Sequence, residues 1–188
     1  MPSVQTPAAV ARAYWKPLLI RAALAAAVGL TSVFWAAPPL QVLGLILAAF
    51  FVANAALLRR LIASEQTPAA ARAALAATAV AWLAAGVVLV FLPTVAGVTA
   101  AAAAGWIAGG AGQIVAWART RKTFVPARDW ALTGLVETGI GVGLLLFWGV
   151  DAHGIFGIAG GGQVIVAVFV AIAALGYRHD AVSTPADR

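Results

Sequence analysis

Six apolar runs, each about 20 residues long, are separated only by short turns or polar linkers. A helix rises ~1.5 Å per residue, so each run is long enough to cross a hydrocarbon layer ~30 Å thick. Backbone amides in lipid must be satisfied within the chain, which leaves helices as the form such runs can take. The fold class is therefore all-α: a polytopic membrane bundle of six transmembrane helices. Of the 188 residues 63% are hydrophobic and 10% charged, far from the ~25% charged residues of a soluble domain.

The runs come in pairs. Helix 1 is read over about 16–36, helix 2 over 40–58, helix 3 over 72–92, helix 4 to about 118, helix 5 over 130–150, and helix 6 to about 177. Pro38-Pro39, Pro93-Thr94 and Asp151 to Gly154 make short turns. Longer polar, basic linkers join the pairs. The expected organisation is three tandem αα-hairpins (16–60, 72–118, 129–177) in a transmembrane domain spanning 14–178. Residues 1–13 and 179–188, which carry Pro, Ser, Thr and charge without apolar periodicity, read as an N-terminal and a C-terminal tail. The first run is too long for a signal-peptide core and is taken as an uncleaved helix.

Charge sets the expected topology. All twelve Lys and Arg lie before or at the start of helix 1, in the two linkers, or after helix 6; the three short turns hold none. The positive-inside rule then places both termini and both linkers in the cytoplasm, with the protein in a plasma (inner) membrane. The same asymmetry accounts for the net charge of +6. The basic rim faces the bilayer and its anionic lipids, and nucleic acid is not needed to explain it.

Helix 5 carries Glu137, the one acidic residue inside an apolar run, and is read as the centre around which the other helices pack. A carboxylate there must face the bundle interior and be paired, hydrogen-bonded or neutral. Trp130, Thr133, Gly134, Ile140 and Gly141 share its face. Counted from the linker ends, Arg21, Asn54, Gln113 and Glu137 all fall ~7–12 Å inside the same interface. These four form a candidate intramembrane polar site; the competing reading is helix–helix hydrogen bonding with Arg21 snorkelling to the interface. We expect Arg21 to snorkel and Glu137 to stay neutral, bonded by the amides. Gln163 lies in the opposite half. Small-xxx-small pairs at Gly105/Gly109, Gly139/Gly143 and Gly157/Gly161 are candidate packing glycines. They suit intramolecular packing first, and a homo-oligomer or membrane-protein partner second.

Asp151 reads as the cap of helix 6 and His153 as solvated. The two histidines, His153 and His179, are too far apart in sequence to suggest a metal site, and there is no cysteine. Ser32 is the one intramembrane serine and has no intramembrane His beside it. G-x-S-x-G, H-E-x-x-H and P-loop patterns are missing, and a lone carboxylate makes no aspartyl dyad. No catalytic residue, cofactor or metal is expected, and the chain reads as a non-enzyme.

A threefold glycine-bearing pattern runs through the hairpins. It reads Arg21-(x7)-Gly29, Phe34-Trp35 and Pro38; then Arg72, Gly86 and Phe91-Leu92-Pro93; then Gly141, Phe147-Trp148 and Asp151. In this the chain, from Trp15 to Tyr177, resembles the HdeD-like family of bacterial acid-resistance membrane proteins. The third unit has Asp151 where the others have Pro. The resemblance implies a small six-span inner-membrane protein linked to stress at low pH, without a catalytic mechanism, and it assigns no site residues. The rival readings are a small transporter or channel with a proton or cation site near Glu137, and a structural subunit of a membrane complex.

Overall fold

The computed structural model describes residues 6–183. Six helices follow in order: α1 (Ala8–Phe34), α2 (Leu40–Ala63), α3 (Ala69–Leu89), α4 (Val95–Thr120), α5 (Ala127–Leu146) and α6 (Ala152–Ser183). All six are long and apolar enough to cross a membrane, so the chain is a multi-pass membrane protein. Its lipid-facing surface is what such a solvent selects: Leu30, Val80, Leu135, Val168 and Ile172 are all exposed.

Prolines and local bonds set the boundaries. Pro7, Pro39 and Pro68 each precede a first helical residue, where a missing N–H costs nothing. Thr94 Oγ1 accepts from Gly97 N at 3.2 Å and caps α4. Asp151 Oδ1 accepts from Gly154 N at 2.8 Å, capping α6 as expected. The structure also corrects several bounds. Residues 8–13, expected in the N-terminal tail, are the first turns of α1, and 179–183 continue α6; residues 1–5 and 184–188 of the two tails lie outside the described part. Polarity marks where a helix leaves lipid rather than where it ends, and sequence reading stopped at the first. α5 ends at Leu146 instead of 150, because the chain turns through Gly149 at φ 100°, which a glycine adopts without strain.

The helices stand in a ring in chain order, and α6 closes on α1. The three-hairpin connectivity holds, but in all three repeats the most extensive packing is with a helix of a neighbouring repeat and not within the hairpin. α1 packs most extensively on α6, and α4 on α5. Helix 5 is a member of this ring and not its hub; α2 leans inward and touches α4 and α6 as well as its ring neighbours.

The repeat is visible in how glycines meet the next helix. A Cβ built on Gly29 would stand 3.1 Å from Gly160 O and 2.6 Å from Val164 Cγ2. One on Gly86 would stand 3.1 Å from Ala48 O and 2.9 Å from Val52 Cγ2. One on Gly141 would stand 2.7 Å from Ala103 O and 2.6 Å from Ile107 Cγ1. In each case the first helix of a repeat packs its glycine on the second helix of the preceding repeat. The receiving pair is a small residue followed four positions later by a β-branched one: Gly160/Val164, Ala48/Val52, Ala103/Ile107. The small residue lets the backbones approach, and the stiff branched side chain closes the gap.

The small-xxx-small pairs divide. Gly105 is a tight contact, its Cβ position 2.7 Å from Ala85 Cβ, and Gly109 lies against the Trp82 indole. Gly143 is a moderately tight contact, a Cβ there standing 3.3 Å from Ile158 Cγ2. Gly139, Gly157 and Gly161 meet nothing within 4 Å, which corrects their reading as packing glycines within the chain. The interior stripe of α6 runs through Gly160, Gln163 and Val166, so its Gly157/Gly161 pair turns outward. The i, i+4 spacing aligns two glycines on one face without saying which face it is.

Candidate functional site

Arg21, Gln113 and Glu137 come from α1, α4 and α5 and meet inside the bundle. Arg21 Nη2 lies 2.6 Å from Glu137 Oε1 and donates to Gln113 Oε1 at 3.1 Å. Gln113 Nε2 donates to Glu137 Oε2 at 2.5 Å. The amide thus bridges cation and anion, its oxygen toward the first and its nitrogen toward the second. Thr133 Oγ1 is 2.8 Å from both Gln113 Oε1 and Asp129 O, and its single proton serves one of them at a time. The Trp82 ring of α3 covers the guanidinium, with its centroid 5.3 Å from Arg21 Cζ, a cation–π contact strengthened where water is excluded. Glu137 is 1% exposed, Gln113 0% and Arg21 7%.

The expectation that Arg21 snorkels to the interface is overturned, because it turns inward and pairs with Glu137. Its side chain turns inward because it lies on the buried face of α1, shared with Leu18, Ala25 and Val28. A buried guanidinium without a partner would be very costly, so the carboxylate is its necessary complement. Asn54 does not join the cluster: its Nδ2 turns back on Phe50 O of its own helix at 2.9 Å. Of the four candidate residues the structure therefore brings together three.

Aromatic layers close the site at both ends. Tyr14 and Trp130 lie two helical turns toward the linkers from Arg21 and Glu137. With Phe124 they form edge and tilted ring contacts, Tyr14–Phe124 at 5.6 Å and Phe124–Trp130 at 5.4 Å. Tyr14 Oη is tied to Thr67 Oγ1 at 2.6 Å, fastening α1 to the α2–α3 linker. The Tyr177 hydroxyl donates to Asp129 Oδ2, fastening α6 to α5. Toward the turns, Trp106 lies two turns from Gln113 and makes a tilted ring contact with Phe51 at 5.0 Å. The charged pair thus sits between apolar lids, in surroundings of low dielectric.

Thr133 and Trp82 belong to the site in roles that sequence reading missed. The repeat register holds the signal. Arg21, Thr78 and Thr133 each stand eight residues before Gly29, Gly86 and Gly141; Ala25, Trp82 and Glu137 each stand four before. The same two interior positions, in three copies, carry the guanidinium, its aromatic cover, its carboxylate and the threonine. Thr78 keeps the simpler job, donating to Gly109 O at 3.1 Å and linking α3 to α4.

As chemistry, the arrangement holds one cation and one anion in a net-neutral, fully bridged unit that ties three helices across the ring. The charge facing Glu137 comes from Arg21; from α4 it meets the neutral Gln113 amide, and at the α5–α6 contact Asp129 and Tyr177 engage each other. Compared with family models, with curated proteins and with solved structures, the chain matches none.

Proposed function

We propose that this multi-pass protein is a non-enzymatic acid-stress protein of the HdeD-like type, in the plasma (inner) membrane, with linkers and termini on the cytoplasmic side. The observation that carries the reading is the Arg21–Glu137 pair bridged by Gln113. Glu137 is the one carboxylate in the bundle interior among the described residues. Protonating it would remove the charge that Arg21 requires and leave a cation buried in an apolar bundle, so acid acts on one defined joint between α1, α4 and α5. The threefold glycine register supports the same reading, since Gly29, Gly86 and Gly141 all serve as helix contacts.

The test is survival of an acid challenge by cells lacking this protein, complemented with wild type or Glu137→Gln. The expected result is reduced survival without the protein, restored by wild type and not by the variant, at equal membrane levels of both. Unchanged survival without the protein would overturn the reading.

A second reading takes Glu137 as a proton or cation site in a transporter, since intramembrane acids mark ion pathways. The aromatic lids on both sides of the pair favour a static joint over it. Proton flux into proteoliposomes that disappears in Glu137→Gln would reverse that order.

A further inference from the structure

The repeat creates a groove on the lipid side wherever a first helix packs on the second helix of the preceding repeat, and the copies are not alike. Between α2 and α3 the groove has a volume of about 390 Å³; Ala55, Ala56 and Arg59 form one wall and Ala76, Ala79 and Val80 the other. Between α6 and α1 a groove also of about 390 Å³ is walled by Ala167, Val168 and Ala171 against Leu19, Ala22 and Ala23. These are the same positions in the repeat. Counted from the branched contacts Val52 and Val164, Ala55 answers to Ala167, Ala56 to Val168 and Arg59 to Ala171; counted from Gly86 and Gly29, Ala76 answers to Leu19 and Ala79 to Ala22. The third copy, between α4 and α5, is drawn shut. There Gly110 and Gly134 stand at these positions, a Cβ on Gly134 would be 2.7 Å from Gly110 O, and Ile114 Cγ1 lies 3.0 Å away.

The two open grooves, of equal volume, therefore differ in charge: the first carries a cation where the second has an alanine. Arg59 is exposed and has no hydrogen-bond or ion-pair partner among the described residues, and no acidic side chain lines its groove. The neighbouring Arg72, by contrast, is spent on the carbonyls of Thr67 and Ser64, at 3.1 and 3.2 Å. Arg59 stands one turn from the end of α2, ~6 Å along the axis, the depth from which a guanidinium reaches headgroup level while its stem lies along apolar wall. Val80 and Leu83, 67% and 48% exposed, open this groove to the hydrocarbon.

We propose that the α2–α3 groove is a binding site for one anionic phospholipid, an acyl chain lying along the alanine walls and the headgroup phosphate on the Arg59 guanidinium. The planar fork matches a phosphate in two parallel hydrogen bonds, which a zwitterionic lipid answers less well because its own cation competes. The α6–α1 groove takes an acyl chain without choosing the headgroup.

The test uses the full chain in mild detergent, titrated with phosphatidylglycerol or with phosphatidylcholine of the same acyl chains, and counts retained lipid by native mass spectrometry. One phosphatidylglycerol should be retained about fivefold over phosphatidylcholine, the preference expected of one cation at the headgroup level. Arg59→Gln, an exposed change that leaves the packing intact, should bring the ratio close to one. Ala171→Arg should add a second retained phosphatidylglycerol, and Ala79→Leu, which fills the first groove, should lower retention of both lipids. An unchanged ratio in Arg59→Gln, or no preference in wild type, would overturn the assignment. So would an Ala79→Leu variant that keeps its lipids and instead loses a dimer, because the occupant would then be a second copy of this chain.

Discussion

Arg21 and Glu137 are 116 residues apart in sequence and 2.6 Å apart in the bundle, so one ion pair joins the first helix to the fifth. Replacing one member leaves the other charge buried and unpaired, a change typically worth ~3–5 kcal/mol. Glu137→Gln keeps the shape and loses the charge. It should lower thermal stability in detergent strongly at neutral pH, and Arg21→Leu should do the same. The double variant Arg21→Leu/Glu137→Leu removes both charges and should recover most of the loss. A double variant as unstable as the sum of the two singles would mean the residues do not act as a pair.

Six helices were legible because a run of about 20 apolar residues admits one structure in lipid. The buried level shared by Arg21, Gln113 and Glu137 was legible for a similar reason, since polar side chains are rare enough in these runs to be compared. Which way Arg21 turns was not. It depends on which face of α1 packs inward, and a partner 116 residues away settles that. Asn54 shows the other limit: its depth is right, but an amide can satisfy itself on its own backbone, as it does on Phe50 O. The glycines show a third. Gly141 and Gly139 differ in surroundings by the rotation of two residues around one helix, and only the packing partner reveals it.

That difference gives a paired prediction. A methyl on Gly141 would be forced into the Ala103 carbonyl at 2.7 Å, which is backbone and cannot swing away. Gly141→Ala should destabilise by ~1–3 kcal/mol through overpacking. Gly139→Ala meets nothing within 4 Å, so it should be neutral or slightly stabilising, as alanine is the better helix former. Thermal unfolding of both variants in one detergent tests the contrast, and equal melting points would show that the α4–α5 contact yields without cost.

The proposed orientation rests on the Lys and Arg, which apart from Arg21 in the bundle lie in the linkers and towards the termini and leave the three short turns without a cation. A single cysteine placed at Thr94, in the α3–α4 turn, should react with an impermeant thiol reagent added to intact cells. One at Thr123, in the α4–α5 linker, should react after the membrane is permeabilised. The chain has no cysteine of its own, so background labelling is absent. The reverse pattern would put the linkers outside.

The last prediction concerns the joint between α5 and α6 at the linker end, where the Tyr177 hydroxyl donates to Asp129 Oδ2. Tyr177 is 2% exposed, and its ring packs in the core. Tyr177→Phe keeps the ring and removes the one donor, leaving the Asp129 carboxylate with Arg128, 3.7 Å away on a mostly exposed side chain. A hydrogen bond to a charged group is typically worth ~1.5–3 kcal/mol, and an acceptor left buried adds to the loss. Tyr177→Phe should therefore lower the melting temperature clearly, while Asp129→Asn, which retains an acceptor oxygen, should lower it less. The two changes share one bond, so in the Asn background Tyr177→Phe should cost less than it does in wild type. Additive effects would place Tyr177 and Asp129 in separate roles and leave the α5–α6 contact to the apolar stripe alone.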